Sequence, residues 1–272
     1  MRKYRISPLW IISSLISHRE LLWAMIKREV VGRYRGSVMG ILWSFLHPVL
    51  MLAVYTFVFS VIFKARWGGG DESKTEFAVV LFAGMIVYSL FAECINRAPT
   101  LVISNANYVK KVVFPLEILP WVSLGSALFH MVISLAVWLV FYAMVNLSVN
   151  WTVLFLPLVL FPLVMFTMGL SWFLASLGVY LRDVVQAVGI FTTILMFLSP
   201  IFFPASSLPI EYRPLIYANP LTFIIEQARD VLVWGKLPDW PLLATYAMAG
   251  VIVAWLGFAW FQKTRRGFAD VI

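Results

Sequence analysis

Six apolar stretches, each long enough to cross a lipid bilayer, constrain this chain more than any other feature. A spanning helix needs about 20 mostly apolar residues. Such stretches occur at 38–63, 77–95, 116–145, 153–181, 184–203 and 241–261. The third and fourth exceed the minimum and have room to tilt or to project beyond the hydrocarbon. Only 12% of the 272 residues are charged, about half the usual share, so there is too little polar surface to clothe a soluble particle. A soluble enzyme and a disordered chain are both excluded. The single cysteine, Cys94, leaves no internal disulfide and no multi-cysteine metal site. The expected fold is an all-α integral membrane protein with six transmembrane helices.

Even parity puts both termini on one side, and the basic residues choose that side. The arm before span one, the linker between spans two and three, Arg182 and the C-terminal tail together hold fifteen Lys and Arg, against six on the opposite side. With acidic residues included, the two sides carry +9 and −1. The positive-inside rule then places both termini in the cytoplasm. The net charge of +8 therefore marks cytoplasmic loops facing anionic lipid and not a nucleic-acid surface. The run at 8–16 is short, holds two serines and lacks a small-residue cleavage site, so no cleaved signal peptide is expected.

Three segments are expected not to span. Residues 18–34 repeat Leu22, Ile26, Val30 and Tyr34 at helical spacing, with Glu20 and Lys27 opposite, as in an amphipathic interface helix within a cytoplasmic arm, 1–37. Glu29 and Arg33 intrude on its apolar face, and a plain basic arm that sets topology is the competing reading. Gly32, Gly36 and Gly40 then allow either a sharp entry into the six-span domain, 38–272, or close packing against another helix. The linker at 99–115 has a polar centre and is expected to form a short cytoplasmic helix or elbow ending before Pro115. The third segment, about 201–235, is bounded by Ser199-Pro200 and Gly235. Asn219-Pro220 and Gly235 predict a capped helix whose Leu221, Ile224, Ile225, Ala228, Val231 and Leu232 form one face, with Glu226, Arg229 and Asp230 on the other. A re-entrant external hairpin or a simple surface helix fits that pattern.

Catalytic signatures are absent. There is no phosphate-binding Gly-x-x-x-x-Gly-Lys-Ser/Thr loop, no His-Glu-x-x-His and no Gly-x-Ser-x-Gly. His18, His47 and His130 are scattered, and the two inside spans are expected to pack helices through hydrogen bonds. Glu93 and Glu117 are the only acids near span interiors, both towards the cytoplasmic boundary. No chain of ionisable residues crosses the middle, which argues against proton or sodium coupling. Aromatics make up 16% of the chain, with Trp43, Phe45, Tyr55, Phe57 and Phe59 in span one and Phe191, Phe197, Phe202 and Phe203 around span five. Each fits lipid-facing packing or a path that stacks sugar rings.

Five motifs in order carry a resemblance. They are Arg-Tyr-Arg-Gly-Ser-Val-x-Gly at 33–40, Tyr-Val-Lys-Lys-Val-Val-Phe-Pro-Leu-Glu at 108–117, Tyr-Leu-Arg-Asp-Val at 180–184, Ser-Pro-Ile-Phe-Phe-Pro at 199–204 and Asn-Pro-Leu at 219–221. From about residue 18 onward the chain resembles the permease subunit of ABC exporters for cell-surface polysaccharides such as O-antigen, capsule or teichoic acid. That resemblance implies a homodimer in the bacterial inner membrane, paired with two copies of a separate nucleotide-binding subunit that carries the ATP and Mg. This chain then has no cofactor, metal or catalytic residue of its own and no nucleic-acid partner. Tyr108, Lys110, Lys111 and Phe114 take the ATPase-coupling role. Tyr55, Phe57, Phe59, Phe191 and Phe197 are the channel or lateral-gate aromatics, and Phe202, Phe203, Asn219 and Pro220 form the external gate. The implied substrate is a polyprenyl-diphosphate-linked glycan, O-antigen first, with Arg33, Arg35 and Arg182 as candidates for its diphosphate. Those arginines equally suit topology determination, and Asp183 offers Arg182 a structural partner. The alternatives are an exporter of another amphipathic lipid or drug and, more remotely, a membrane enzyme acting on polyprenyl phosphate.

Overall fold

The structure is a computed structural model that describes residues 7–62, 67, 74–110 and 114–272, with the side chains at 8, 9, 60, 61, 74 and 206 excepted. Among the described residues every regular element is helical. The arm forms two helices, α1 (Pro8–Ser17) and α2 (Arg19–Arg33). Next comes α3 (Trp43–Tyr55), continued by a π-helical stretch, Thr56–Ile62. Then follow α4 (Lys74–Arg97), a short α5 (Ala106–Lys110), α6 (Leu119–Asn146) and α7 (Leu156–Tyr180). The chain closes with α8 (Val184–Phe197), α9 (Arg213–Tyr217), α10 (Pro220–Leu232), α11 (Trp240–Thr264) and α12 (Phe268–Val271).

Among the described residues five helical segments are long and apolar enough to cross a membrane, against the six expected. The exception is the fifth expected span, 184–203, in which only the 14 residues of α8 are helical. At 1.5 Å per residue they reach about 21 Å, short of a hydrocarbon core of about 30 Å. The physical reason is local. Pro200 disfavours helical backbone at Ser199, the Ser199 hydroxyl turns back to the Leu195 carbonyl at 2.6 Å, and Asn219 Nδ2 takes the Leu198 carbonyl at 3.2 Å.

Span one also departs from a plain helix. Gly36 and Gly40 both take positive φ, +87° and +51°, and a Cβ on Gly32 would meet nothing within 4 Å. The glycines therefore turn the chain into α3 and do not seat a neighbouring helix. Thr56 Oγ1 returns its proton to the Leu52 carbonyl at 2.7 Å, where the α-helix gives way to π-helix. That change of period re-aims the aromatic side chains beyond Tyr55.

The tightest helix pair is α7 with α11. A Cβ on Gly169 would strike the Val253 carbonyl, and one on Gly257 would strike the Gly169 carbonyl. Small residues here let two backbones touch, which is how apolar helices gain dispersion energy in a solvent as apolar as themselves.

The segment from 219 to 235 is capped as expected. Asn219 Oδ1 accepts from Leu221 N at 2.9 Å, Pro220 occupies the first turn, and Gly235 follows the helix at φ +63°. Its charged face is not outside, however. α10 is sunk against α4 and α7 with ten of its residues buried, and Arg229 is only 3% exposed. Arg229 Nε donates to the Val80 carbonyl at 3.0 Å and Nη2 to Ile201 O at 2.9 Å, while Nη1 reaches Pro200 O. Its guanidinium also lies 4.3 Å from the Trp67 ring centroid. Gly84 makes room for it, since a Cβ there would stand 2.7 Å from Nη2. The expected polar placement of Arg229 is thus corrected: the two carbonyls freed where α8 stops need a donor inside the bundle.

α1 and the end of α11 meet the described part of the 98–118 linker at one end of the bundle. Ser14 Oγ donates to Glu117 Oε1 at 3.3 Å, and Arg265 binds Glu117 Oε2 at 2.5 Å and the Phe114 carbonyl at 2.6 Å. At the far end, Asn150 and Thr152 tie the α6–α7 connection to the carbonyls of Val233 and Val231.

Two outcomes are expected. Arg229→Met orphans the buried Pro200 and Ile201 carbonyls and lowers the unfolding free energy by about 3 kcal/mol, measured by denaturation in detergent micelles, whereas Arg229→Lys keeps the charge and loses less. Gly257→Val forces α7 and α11 apart, and its melting temperature falls, while the control Gly189→Ala, where a Cβ would meet nothing within 4 Å, leaves it within error.

Candidate functional site

A cavity of about 570 Å³ opens between α3, α4 and α6, with its mouth at the turn after α2. Its inner wall is apolar and aromatic, including Met51, Tyr55, Phe82 and Met85, and the Tyr55 and Phe82 rings stand 6.4 Å apart. Its mouth is polar. Arg33 Nη2 pairs with Glu93 Oε1 at 2.5 Å, His130 Nδ1 lies 3.1 and 3.2 Å from the two Glu93 oxygens, and the Tyr34 hydroxyl lies 3.1 Å from His130 Nε2. Nδ1–H donates to the Glu93 carboxylate, and the Tyr34 hydroxyl shares a hydrogen bond with Nε2. Arg33 Nη1, 3.1 Å from Nδ1, is then a close neighbour without a bond. Burial raises the Tyr34 phenol above its ordinary value despite Arg33 beside it, so it remains a donor. The cavity therefore joins a charged rim to an apolar interior, as an amphipathic ligand requires.

α2 is held there by a crossed pair of ion pairs. Glu29 and Arg33 stand four residues apart on α2, Glu93 and Arg97 four apart on α4, and each charge meets its opposite. The intrusion of Glu29 and Arg33 on the apolar stripe is thereby explained. That face lies against α4 and α6, where Met25 and Val30 are buried and Ile26 fills the space left by Gly125, while Trp23 stays 70% exposed.

Of the three diphosphate candidates, Arg33 is already engaged by Glu93, so an incoming anion must compete for it. Arg35 is exposed beside Gly40 and Ile41. Arg182 is exposed at the turn between α7 and α8, and among the described residues no contact joins it to the other two or to Asp183.

The coupling candidates cluster on the end of the bundle that holds both chain ends. Tyr108 stacks on Phe114 with ring centroids 4.4 Å apart and planes 11° apart, and Arg28 Nη1 donates to the Tyr108 hydroxyl at 2.9 Å. Phe114 is buried and supports Tyr108 from beneath. Lys110 is exposed and reaches the Ile272 carbonyl at 2.7 Å. Lys111 lies outside the described residues.

The aromatic candidates divide. Phe59 is sandwiched between Phe77 at 5.6 Å and Phe202 at 5.8 Å, and Phe197 continues the stack from Phe202 at 5.7 Å. This ladder links the π-helical end of span one to the break after α8. Phe57, Phe191 and Phe197 are all more than half exposed, on broad apolar faces of span one and α8. Phe203 and Pro220 are half-buried, and Asn219 is buried with Nδ2 on the Ser199 hydroxyl at 2.9 Å. Tyr34, Glu93 and His130 escaped the sequence reading as a site, although the charges on the α2 stripe were a usable sign of a partner helix.

The sequence profile of the ABC-2 type transporter family matches residues 20–233. The chain is similar to the O-antigen export system permease protein RfbA of Myxococcus xanthus, 28% identical over 96% of this chain and 99% of that protein. A permease of the same name from Klebsiella pneumoniae is 26% identical over 93% and 95% of the two chains. The polysialic acid transport protein KpsM of Escherichia coli is 24% identical over 88% and 91%.

The crossed ion pairs predict a rescue. Glu93→Arg, which sets like charges together, speeds proteolysis and hydrogen exchange of α2, and adding Arg33→Glu restores most of the protection. Because the groups are about a third exposed, the coupling energy from the full cycle is expected near ~1 kcal/mol.

Proposed function

The chain belongs to the ABC-2 type transporter family, and from that premise we propose that it is the permease subunit of an ATP-driven polysaccharide exporter. Its substrate is a polyprenyl-diphosphate-linked cell-surface glycan, O-antigen first. The observation that carries this reading is the end-to-end similarity to O-antigen export permeases, which spans 96% of this chain and nearly all of the relative. Capsule-type glycan is the second reading, favoured by the similarity to a polysialic acid transport protein.

The geometry supports the division of labour. Energy enters from a separate nucleotide-binding subunit, present in two copies, seated on the end that gathers α5, Lys110 and both chain ends. That end carries most of the basic charge and faces the cytoplasm, so the chain lies in the bacterial inner membrane with both termini inside. α8 together with 198–203 completes the sixth crossing, its broken backbone capped within the bundle. A homodimer covers the exposed apolar faces of span one and α8, bringing Phe57, Phe191 and Phe197 to the path between protomers. Uncharged aromatic faces bind sugar C–H surfaces without holding the glycan by fixed charge, which suits a chain that has to keep moving. The charged rim at Arg33, with Arg35 nearby, receives the diphosphate, and the apolar cavity behind it receives the first isoprene units. α10 and the 198–212 segment close the far side.

Detergent co-purification of the tagged chain tests this reading. A soluble ATPase is expected in stoichiometric yield, with turnover that responds to added lipid-linked glycan. Lys110→Glu with Lys111→Glu reverses charge at the seat and is expected to cut ATPase recovery at least tenfold, about 1.4 kcal/mol of docking. Wild-type recovery by that double variant contradicts the seat, and a chain that emerges without any ATPase contradicts the exporter.

A further inference from the structure

A second cavity, of about 260 Å³, lies where α2, the turns at 98–105 and the start of α6 meet, separate from the cavity beside span one. At about 30 Å³ per water it has room for roughly eight or nine waters, more than hydration of one buried group requires. Its floor is apolar, with Met25, Leu101 and Val122. Its walls are donors. Arg28 gives one N–H to the Tyr108 hydroxyl at 2.9 Å, and among the described residues no carboxylate pairs with it. Arg97 is matched by Glu29, so two guanidinium groups face a single carboxylate. Thr100 spends its hydroxyl proton on the Arg97 carbonyl, while Ser104 stands exposed at the rim. The decisive group is Ser123. It is 1% exposed, it lines this cavity, and among the described residues its hydroxyl has no hydrogen-bond partner.

A buried hydroxyl without a partner costs about 1–3 kcal/mol, and an unmatched arginine beside it adds several free N–H groups. A cavity with surplus donors, one net positive charge and an open flank calls for a compact anion with several acceptor oxygens. The flank exists: Arg28, Glu29 and Arg97 also line a shallow cleft running to Gly32 and Arg33, at the depth where lipid headgroups meet a basic protein surface.

We propose that this cavity binds one phosphate group, held by Arg28, Arg97, Ser104 and Ser123. Bound there, the phosphate bridges α2 to the linker that carries α5, and so stiffens the joint between the interface helix and the coupling segment. The site is independent of the substrate proposed above. The phosphate comes from an anionic lipid headgroup or from free phosphate, which share this chemistry.

Thermal unfolding of the full-length chain, delipidated in detergent, separates these sources. The probes are inorganic phosphate, dihexanoylphosphatidylglycerol, and dihexanoylglycerol as a phosphate-free control. A saturable rise in melting temperature with inorganic phosphate identifies the free anion. A rise with the phosphatidylglycerol alone identifies the headgroup. Arg28→Gln and Ser123→Val are each expected to weaken the apparent affinity at least tenfold, while Lys263→Gln, at an exposed position on α11, leaves it unchanged. Should Ser123→Val fail to fold, Ser104→Ala at the exposed rim takes its place, with a smaller loss expected. No saturable shift with either phosphate probe, an equal shift with dihexanoylglycerol, or a shift undiminished in Arg28→Gln overturns the proposal.

Discussion

The guanidinium of Arg229 permits the rest of this architecture. A membrane helix satisfies its own backbone, but a helix that stops inside the bundle leaves carbonyls that neither lipid nor water can reach. Here α8 stops before Pro200, and Arg229 collects Pro200 O and Ile201 O together with Val80 O from α4. One planar fork therefore closes the broken end, fixes α10 against α4 and ties both to the aromatic ring of Trp67. Without that donor, the segment between α8 and α11 would have to leave the bundle or become a regular helix. With it, the far end is closed by short helices and turns, the kind of element that can rearrange without unfolding a span.

The opposite end is organised by weaker and more numerous contacts. Two partly exposed ion pairs hold α2 to α4, a ring stack and a single hydrogen bond link Tyr108 to Phe114 and Arg28, and Glu117 joins Ser14 to Arg265. Each is individually modest. Together they gather α2, the 98–118 linker and the C-terminal end into one polar surface. An ATPase bound there would push on all three at once. The contrast between a far side pinned by one buried charge and a near side laced by exposed ones suits a machine driven from one face. Between them lies the cavity beside span one, with Arg33, Glu93 and His130 at its mouth and aromatic side chains within.

Legibility in the sequence followed the range of the interactions. Long apolar runs and local caps were readable because their physics is contained within a few residues. Five of the six expected spans appear as long helices, α2 begins and ends within a residue of its expected bounds, and Asn219-Pro220 and Gly235 cap α10 as foreseen. Contacts over long separations were not readable. Helical spacing puts Arg229 on a polar face beside Glu226 and Asp230, and nothing local shows that 29 residues earlier a proline frees the carbonyls it serves. For the same reason Glu29 and Arg33 looked like flaws in an apolar stripe, when they face Arg97 and Glu93. The change to π-helix after Tyr55 altered which aromatics share a face, so Phe59 lies in a packed stack while Phe57 points outward.

The central claim is that this chain supplies a conduit and a partner supplies the energy. Proteoliposomes containing the chain with its co-purified ATPase, loaded with fluorescent lipid-linked glycan and read by lectin quenching on the far face, measure that directly. Glycan is expected to cross only when both proteins and hydrolysable ATP are present. Crossing without the ATPase, or steady ATP turnover with no glycan crossing, would contradict it.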